Sequence, residues 1–535
     1  MQRDCAKKPS SRPPRGASRP SLTRGGFLGI FVAALLGIGC SLTTKTDVGA
    51  GIGSPCQSDD QCQAARCMPP AAGTKATGGI CATTCLVDAD CLSGSVCAKG
   101  MCQLPLTVGV ALTGNVTELE GWTFAHVQGL DQASADLGYV KLDKRFGLIP
   151  GNVLEDIENI ARTNQIVIGN TVDYIPDFQR AAQAIPNRNF VCVDDGVYMT
   201  GTSNFTTYWI HRAQAWYAAG KVAANVAKNR LGVISAFINP ETVFDVNAFT
   251  LGARTIKPNI VVEVRHMGFW FDINDTPTYS YTHSNGMTRE YFREEYLAAL
   301  MIDSGCEVIA HIGNTQRTVR LLEKLRGQGM ARADQYSFAN DNQKGYLDGT
   351  GVPIPSCVGS IYENWQPLYR DLFEAVHRGT FNPMKSLDYD IDDTDNSPTG
   401  VSINPSGPGD SIAARKIVQD LARAKNPSAR QRVLMGPYTA NGQRDRDRDG
   451  IPDANQTVAA GELIEVAEAS KMCWYVTGVV EKSVLSDPKS ADRAALVPGG
   501  LVPGSTQPGS RVAYPTDDKL VIPSGLSTEC LANTF

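Results

Sequence analysis

The sequence predicts an α/β protein built around parallel β-sheets, preceded by a small disulfide-rich module. Short apolar runs alternate with longer helical patterns, starting with a strand-type run at residues 108–112 and a helical pattern at residues 121–137. A dense group of cysteines comes just before this alternation begins. The chain has 535 residues, which is enough for two or three domains and a large core.

The first strand and the helix after it define a candidate site. Gly121, Trp122 and Thr123 open the helix, so they follow the carboxyl end of the strand. In an open parallel sheet, ligands bind at that end of the strands. A tryptophan that only packs against the sheet would give the same local pattern, so the downstream sequence has to decide.

The pattern of strand, loop and helix repeats along the chain. The segments that carry it are residues 166–170, 177–184, 190–195, 217–224, 231–234, 249–254, 268–272, 305–311, 360–365 and 472–479. This ordered set resembles the basic membrane protein family (PnrA-like) of ABC-transporter substrate-binding lipoproteins. The resemblance implies a type I periplasmic-binding-protein fold for residues 104–480, in which two hinged α/β lobes enclose a ligand cleft. It places the first crossing between the lobes near residues 211–216 and the return near residues 338–343.

Residues 1–40 have the composition of an export signal. An arginine-rich stretch precedes an uncharged apolar run at residues 27–38, which leads through a glycine to Cys40. As a helix this run spans about 18 Å, too short for a bilayer core of about 30 Å, although a non-cleaved membrane anchor is the alternative interpretation. Cys40 is the expected lipid acceptor, even though Gly37 stands where lipoprotein signals commonly have Leu. The lipid would anchor the exported protein in a bacterial cell envelope, on the periplasmic face or at the outer membrane, with residues 41–54 as a flexible tether.

Residues 55–103 form a cysteine-rich module with an internal repeat. Its cysteines fall into two quartets, and each quartet opens with a five-residue gap that carries acidic side chains, at residues 57–61 and 86–90. A segment with so few aliphatic residues needs covalent cross-links to fold. Zinc is the competing interpretation, but the module has no histidine and no Cys-x-x-Cys pair. We therefore expect disulfides of undetermined connectivity among Cys56, Cys62, Cys67, Cys81, Cys85, Cys91, Cys97 and Cys102.

A calcium-type loop is predicted at residues 445–456. Aspartates at loop positions one, three and five, a glycine at six and an acid at nine are typical of oxygen-ligand calcium sites. Position twelve is Gln456 instead of the bidentate glutamate of an EF-hand, so the site should be weaker; it resembles the short loops of thrombospondin type-3 and dockerin repeats. A solvated charged hairpin is the alternative. The expected ligands of this structural Ca²⁺ are Asp445, Asp447, Asp449, the backbone carbonyl of Ile451, and Asp453.

Three other stretches depart from the alternation. Residues 274–290 are polar and aromatic, and residues 387–410 are acidic and rich in Gly, Pro and Ser, so both look like insertions. Residues 481–535 form a tail rich in Pro, Gly and Ser, which is typical of loosely packed chain. Most of the cysteines outside the module lie in apolar strands and are expected to be buried thiols.

The family resemblance also implies a ligand, a purine nucleoside or nucleobase-like small molecule. Trp122 and Trp270 would stack on the base, one from each lobe, and Asp194 and Asp341 would bind its polar edges. Two departures alter the pocket: Thr123 stands where nucleoside-binding members commonly have Asn, and Glu363 stands where they commonly have Lys. The full set of expected ligand-binding residues is Trp122, Thr123, Asp194, Trp270, Asp341, Asn364 and Trp365.

Composition and motifs exclude several other functions. The formal net charge of −5 argues against a nucleic-acid partner. The chain has no Gly-x-Ser-x-Gly elbow, no phosphate-binding Gly-x-x-x-x-Gly-Lys-Ser/Thr loop and no His-Glu-x-x-His helix, so we expect neither an enzyme nor a redox or nucleotide cofactor. The resemblance implies an ABC permease as partner. A cell-envelope scaffold or ligand sensor that reuses the binding fold without transport is the alternative.

Overall fold

A computed structural model describes most of the module and of the α/β body. The residues described are 53–62, 65–70, 72, 74–75, 78–114, 120–194, 202–236, 240–267, 270, 276–409, 411–423, 438–441, 457–459 and 475–481. The predicted leader with Cys40, the calcium-type loop and the tail lie outside these residues. Within the described part of the chain, no helix is both long and apolar enough to cross a membrane.

The cysteine-rich module consists of short strands joined by disulfides. Its strands are β1 (Pro55–Cys56), β2 (Arg66–Met68), β3 (Gly79–Ala82), β4 (Val96–Ala98) and β5 (Met101–Gln103). Strands β1, β3 and β2 form one antiparallel sheet, and β4 and β5 form a hairpin. The predicted disulfides are confirmed, and each quartet pairs its first cysteine with its third and its second with its fourth: Cys56–Cys67, Cys62–Cys81, Cys85–Cys97 and Cys91–Cys102.

The acidic gap of each quartet has a structural role. The Asp59 carboxylate accepts a hydrogen bond from the backbone N–H of Cys67 at 2.7 Å, and Asp88 accepts one from Cys97 at 2.7 Å. Each repeat therefore contains an equivalent hydrogen bond as well as the same disulfide pattern. Charge-assisted bonds of this kind stabilise a turn that has little apolar surface to bury.

The α/β body begins with a series of alternating strands and helices. Its first part contains β6 (Leu106–Ala111), α1 (Gly121–Leu137), β7 (Val140–Arg145), α2 (Leu154–Thr163), β8 (Ile166–Gly169), α3 (Ile175–Ala184), β9 (Asn189–Val193) and β10 (Phe205–Ile210). The chain continues through α4 (Ala213–Val226), β11 (Arg230–Ser235), α5 (Pro240–Ile256), β12 (Val261–His266), β13 (Tyr279–Thr282), β14 (Thr288–Tyr291), α6 (Arg293–Asp303), β15 (Val308–His311), α7 (Arg317–Gly327), β16 (Tyr336–Ala339) and β17 (Cys357–Glu363).

The last part of the body returns to both sheets. It contains α8 (Gln366–His377), β18 (Leu387–Tyr389), β19 (Thr399–Ile403), α9 (Ser411–Ala422), β20 (Tyr438–Asn441), β21 (Thr457–Val458), β22 (Tyr475–Val476) and β23 (Val479–Glu481). The first sheet has the order β18-β10-β9-β8-β6-β7 and the second has the order β19-β17-β16-β15-β11-β12-β23. All pairings in the two sheets are parallel except that of β17 with β19. The predicted α/β fold with two lobes is confirmed, and each lobe is built on one of these sheets.

Within the described residues, the chain crosses between the lobes three times. The first crossing joins β10 to α4, within the predicted residues 211–216. The predicted return near residues 338–343 is wrong, because β16 pairs with β17 in the second sheet and the chain leaves that lobe only between Glu363 and Gln366. The third crossing runs from β18 to β19. Residues 387–410 are therefore not an insertion, because they supply an edge strand to each sheet.

Close helix packing supports the second lobe. Helix α4 is rich in small residues, and a Cβ at Gly220 would lie 1.9 Å from the carbonyl oxygen of Phe249 on α5. Only glycine allows the two backbones to approach this closely. The β13–β14 hairpin covers residues 279–291, most of which belong to the stretch that looked like an insertion. The thiols of Cys192, Cys306 and Cys357 are free and buried, as predicted.

Candidate ligand-binding cleft

Trp122 lies in the first turn of α1, at the carboxyl end of β6. Its indole N–H donates to the carbonyl oxygen of Asn170, just after β8, at 2.6 Å. The ring is partly buried and makes edge contacts with His126 and Trp365, with centroids 4.6 and 5.3 Å away. These contacts fix the orientation of the ring, which remains partly exposed.

Thr123 fixes the loop that precedes this helix. Its hydroxyl donates to the carbonyl oxygen of Thr113 at 2.6 Å and accepts from the side-chain amide of Asn170 at 3.3 Å. The same Asn170 side chain accepts from the backbone N–H of Thr113 at 2.9 Å. The bonds described for Thr123 therefore join parts of its own lobe and connect the ends of β6 and β8.

Asn364 and Trp365 form the second crossing. Trp365 is 1% exposed and stacks on His126, with ring centroids 4.0 Å apart. A Cβ at Gly129 of α1 would lie 2.6 Å from the Cβ of Trp365, so the two segments are tightly packed. The side chain of Asn364 donates to Asn396 at 2.8 Å. Trp365 thus lies behind Trp122 and supports it.

Trp270 comes from the second lobe. Its carbonyl oxygen accepts a hydrogen bond from the N–H of Asn314 at 2.9 Å, and its partly buried ring packs against the apolar core of that lobe. Asn314 in turn lies against the first lobe, because a Cβ at Gly121 would be 2.1 Å from its carbonyl oxygen. The structure therefore brings the segments of Trp122 and Trp270 to the two sides of Asn314.

A buried ion cluster lies where the lobes join. We define the hinge cluster as Arg212, Glu241, Asp245, Asp341 and Glu363. The Arg212 guanidinium lies 2.7 Å from Asp245, 3.2 Å from Glu241 and 3.6 Å from Glu363. Arg212 belongs to the first crossing and Glu363 ends β17 at the second, so the cluster joins two of the connections between the lobes.

The hinge cluster contains more carboxyl groups than cations, and burial shifts the pKa values of its members. Burial raises the pKa of Asp341 well above its ordinary range, and the charge of Glu363 raises it further. Burial also raises the pKa of Glu363, although Arg212 opposes this effect. For Arg212, burial alone would lower the pKa, but the charges of Asp245 and Glu363 outweigh it and raise the value. The Asp341 backbone has a φ of 61°, a strained conformation for a residue other than glycine and one often found at ligand sites.

The first lobe adds two further carboxylates at its strand ends. Asp194 follows β9, is buried, and donates its backbone N–H to the carbonyl oxygen of Tyr208 at 2.9 Å. Asp173 follows β8, where burial raises its pKa to about 6 and the charge of Glu241 in the second lobe contributes. Asp173 and Glu241 thus influence each other electrostatically, although they belong to different lobes.

Several buried polar atoms near the strand ends have no hydrogen-bond partner among the described residues. They are one terminal nitrogen of Arg212, both ring nitrogens of His311 at the end of β15, and the side-chain oxygen of Asn340 after β16. Most buried polar groups in proteins are hydrogen-bonded, so groups without partners beside a cleft are candidates for ligand contacts. Arg212, His311 and Asn340 are not among the binding residues expected from the sequence. Arg212 and Asn340 lie within the two predicted crossings, at residues 211–216 and 338–343, and His311 ends the predicted segment at residues 305–311. These positions were the signal that could have identified them.

Both lobes also meet at Glu120, which precedes α1. Its carboxylate accepts bonds from the Arg320 guanidinium at 2.6 and 2.9 Å and from the backbone N–H of Gln316 at 3.1 Å. Burial alone would raise the pKa of Glu120, but the bonds and charge of Arg320 outweigh it and lower the value. The cleft thus contains an accessible aromatic surface, a surplus of acceptors and a few buried donors, which is suited to a small molecule rich in hydrogen-bond donors.

The sequence matches a known family and proteins with named ligands. Residues 118–395 match the family described as ABC transporter substrate-binding protein PnrA-like. A protein of Haloferax volcanii named for glucose binding in an ABC transporter is 23% identical over 313 residues, covering 58% of this chain and 70% of that protein. A purine-binding protein of Brucella abortus is 24% identical over 271 residues, covering 49% of this chain and 66% of that protein, slightly under two thirds of its length.

Solved structures of solute-binding proteins are also similar. An ABC transporter solute-binding protein from Aeropyrum pernix K1 has a TM-score of 0.47 and 12% identity, covering 65% of this chain and 95% of that chain. A glucose-galactose binding protein from Geobacillus stearothermophilus has a TM-score of 0.38 and 11% identity, covering 56% of this chain and 98% of that chain.

Proposed function

Because the chain belongs to the PnrA-like family of ABC transporter substrate-binding proteins, we propose that it binds a purine nucleoside or nucleobase between its lobes and delivers it to an ABC permease. The observation that carries this proposal is the combination of Trp122 with carboxylates from both lobes at the strand ends. Carboxylates accept hydrogen bonds from ribose hydroxyls and base N–H groups, and an aromatic face stacks on a base.

The charge of the cleft narrows the ligand class further. The hinge cluster has one cation among four carboxyl groups, and the charge of its Glu241 also acts on Asp173 of the first lobe. The one cation of the cluster, Arg212, is already compensated by Asp245 and Glu241. A phosphate group would therefore lack a charge partner in the hinge cluster, so a nucleoside or free base fits better than a nucleotide. The relative from Brucella abortus, named for purine binding, supports the same class.

A sugar is the second candidate ligand. Surplus carboxylates are also suited to the hydroxyls of a hexose, and the relative from Haloferax volcanii is named for glucose binding. The two ligands differ in their need for an aromatic surface large enough to stack on a purine. Truncating Trp122 should therefore affect a nucleoside more strongly than a small sugar.

Calorimetry on the chain from residue 41 onward tests the proposal. The probes are adenosine, guanosine, inosine, adenine, glucose and adenosine monophosphate. We expect a nucleoside or base to bind, the monophosphate not to bind, and Trp122→Ala to weaken binding by about tenfold or more, because a stacked base contributes roughly 1–3 kcal/mol. Trp122→Phe keeps an aromatic face and is the matched control. Binding of glucose alone would replace the purine proposal, and no binding would favour a scaffold or sensor.

The anchor and compartment form a separate part of the proposal. We propose that the protein is exported and lipidated at Cys40, with disulfide formation in an oxidising envelope compartment. The disulfides of the module support this compartment. Cys40→Ala should move the protein from the membrane fraction to the soluble fraction. A variant that stays in the membrane fraction would indicate that the leader itself is the anchor.

A further inference from the structure

Three polar contacts connect the lobes at one side chain, that of Glu120. The Arg320 guanidinium binds both carboxylate oxygens in a bidentate arrangement, and the N–H of Gln316 adds a third bond. Glu120 directly precedes α1 in the first lobe, whereas Gln316 and Arg320 lie at the start of α7 in the second. The Glu120 side chain is 14% exposed and the Arg320 side chain 52%, so the carboxylate is largely shielded from solvent while the guanidinium is half in water.

The neighbouring glycine makes the same junction sterically specific. Gly121 has a φ of 83°, in the left-handed region that favours glycine. A Cβ at this position would lie 2.1 Å from the carbonyl oxygen of Asn314 in the second lobe. Any larger residue would therefore force the lobes apart at this point. This backbone contact is independent of the ion pair and defines the same approach of the two lobes.

We propose that Glu120, Gly121, Gln316 and Arg320 form a latch that holds the lobes closed and sets how long a ligand stays bound. The proposal rests on the proposed function in that the cleft has to bind a ligand. The latch residues are positioning residues, because they act through the approach of the lobes. Glu120 and Gly121 directly precede Trp122, so the latch lies next to the proposed stacking ring in the chain.

The electrostatics of the latch favour closure. Moving the lobes apart would return Glu120 and Arg320 to water and break charge-assisted hydrogen bonds, which are the stronger class of protein hydrogen bonds. Because this contact joins the two lobes, it favours the closed state by its own free energy. A ligand that binds the closed state should therefore dissociate faster when the latch is removed.

The first experiment measures opening without any ligand. The chain from residue 41 onward is compared, without substitution and as Glu120→Gln, Arg320→Gln and Lys416→Gln. Small-angle X-ray scattering measures the overall size, and hydrogen exchange is followed at residues 120–130 and 312–320. The last variant removes the exposed α9 pair with Asp420 and is the control. We expect a larger radius of gyration and faster exchange in Glu120→Gln and Arg320→Gln but not in Lys416→Gln. Unchanged scattering and exchange in both would overturn the latch.

The second experiment measures dissociation of adenosine, or of glucose if that probe binds. Glu120→Gln and Arg320→Gln should raise the dissociation rate by about threefold to tenfold. Glu120→Arg combined with Arg320→Glu should recover part of the loss, because it restores the ion pair but leaves the N–H of Gln316 without the carboxylate that accepts its bond. Gly121→Ala should prevent full closure and weaken binding more. Normal binding in all latch variants would overturn the latch and leave the proposed function standing. Opening without binding of any probe would support the latch and remove the proposed ligands.

Discussion

The Arg378 guanidinium, next to the end of α8, donates to the carbonyl oxygens of Met68 and Pro69 in the cysteine-rich module at 2.9 and 2.6 Å. The same guanidinium pairs with Glu374 at 2.5 Å, with side chains 1% and 2% exposed. Lys75 of the module adds a second attachment, because its ammonium lies 3.5 Å from the centre of the Tyr389 ring. The module is therefore packed onto the first lobe, and a protein truncated at residue 104 would leave Glu374 and Arg378 without their covering.

Arg378→Met should loosen the module and destabilise the first lobe. Removing the cation leaves the buried Glu374 carboxylate uncompensated, which typically costs about 3–5 kcal/mol. Urea denaturation followed by fluorescence, together with limited proteolysis of the module, measures both effects. Arg423→Met removes an exposed arginine that pairs with Asp393 at 3.4 Å and serves as the control. Equal stability of the two variants would contradict the role of Arg378.

His126 should make the fold sensitive to acid. Burial lowers the pKa of His126 well below its ordinary value, and its Nδ1 is hydrogen-bonded to the Tyr369 hydroxyl. Below about pH 6.5 the unfolded chain binds a proton that the folded chain excludes. The free energy of unfolding should therefore decrease as the pH is lowered, by up to about 1.4 kcal/mol per pH unit. This stability is present above pH 6.5 and is lost on acidification.

Denaturation of the wild type and His126→Phe between pH 7.5 and 5 tests this assignment. Phenylalanine keeps a ring against Trp365, and the Tyr369 hydroxyl retains its contact with Tyr208 at 3.0 Å. We expect a flatter dependence of stability on pH in the variant. Part of the slope should remain, because burial lowers the pKa of His377 to about 4. Parallel curves for the two proteins would show that His126 does not contribute.

Arg212→Met should destabilise the hinge in a pH-dependent way. Without its cation, the hinge cluster retains only carboxyl groups, and breaking such a buried network typically costs about 3–5 kcal/mol. Acid should reduce this loss, because carboxyl groups whose pKa burial has raised become neutral first. The urea midpoint of Arg212→Met should therefore lie further below that of the wild type at pH 8 than at pH 5. Adding Asp245→Asn to Arg212→Met should recover stability, and no recovery would contradict the charge argument.

Local sequence patterns predicted the parts of the fold that depend on neighbouring residues. The apolar run at residues 108–112 and the helix after Gly121 correspond closely to β6 and α1. Alternation of strand and helix likewise predicted parallel sheets and the first crossing. The cysteine spacing and the absence of histidine predicted disulfides, whereas their connectivity depended on tertiary structure.

Long-range pairing explains what the sequence did not show. β18 is three residues long and pairs with β10, far earlier in the chain, so its acidic, Pro-rich surroundings looked like an insertion. In the sequence, Arg212 lies in the predicted crossing at residues 211–216, where a charged side chain is expected to be solvated. Folding brings Arg212 to Asp245 and Glu363, from separate elements, and buries it. The burial of Trp365 likewise depends on α1 and α8 packing together, and no local pattern distinguishes it from Trp122.

The loop at residues 445–456, outside the described residues, should bind one calcium ion. Its five oxygen donors are those of the sequence pattern, and Gln456 cannot supply a bidentate carboxylate, so we expect a dissociation constant of about 10⁻⁴–10⁻³ M, as in extracellular modules. Calcium at 100 times that constant would stabilise the folded loop by about 2.7 kcal/mol.

Calorimetric titration with calcium and with magnesium should give a stoichiometry of one for calcium and weaker binding for magnesium. Asp449→Asn should abolish binding, whereas Asp395→Asn, in an acidic stretch that lacks the glycine at position six, should not. Equal responses to the two ions, or none, would favour the solvated hairpin.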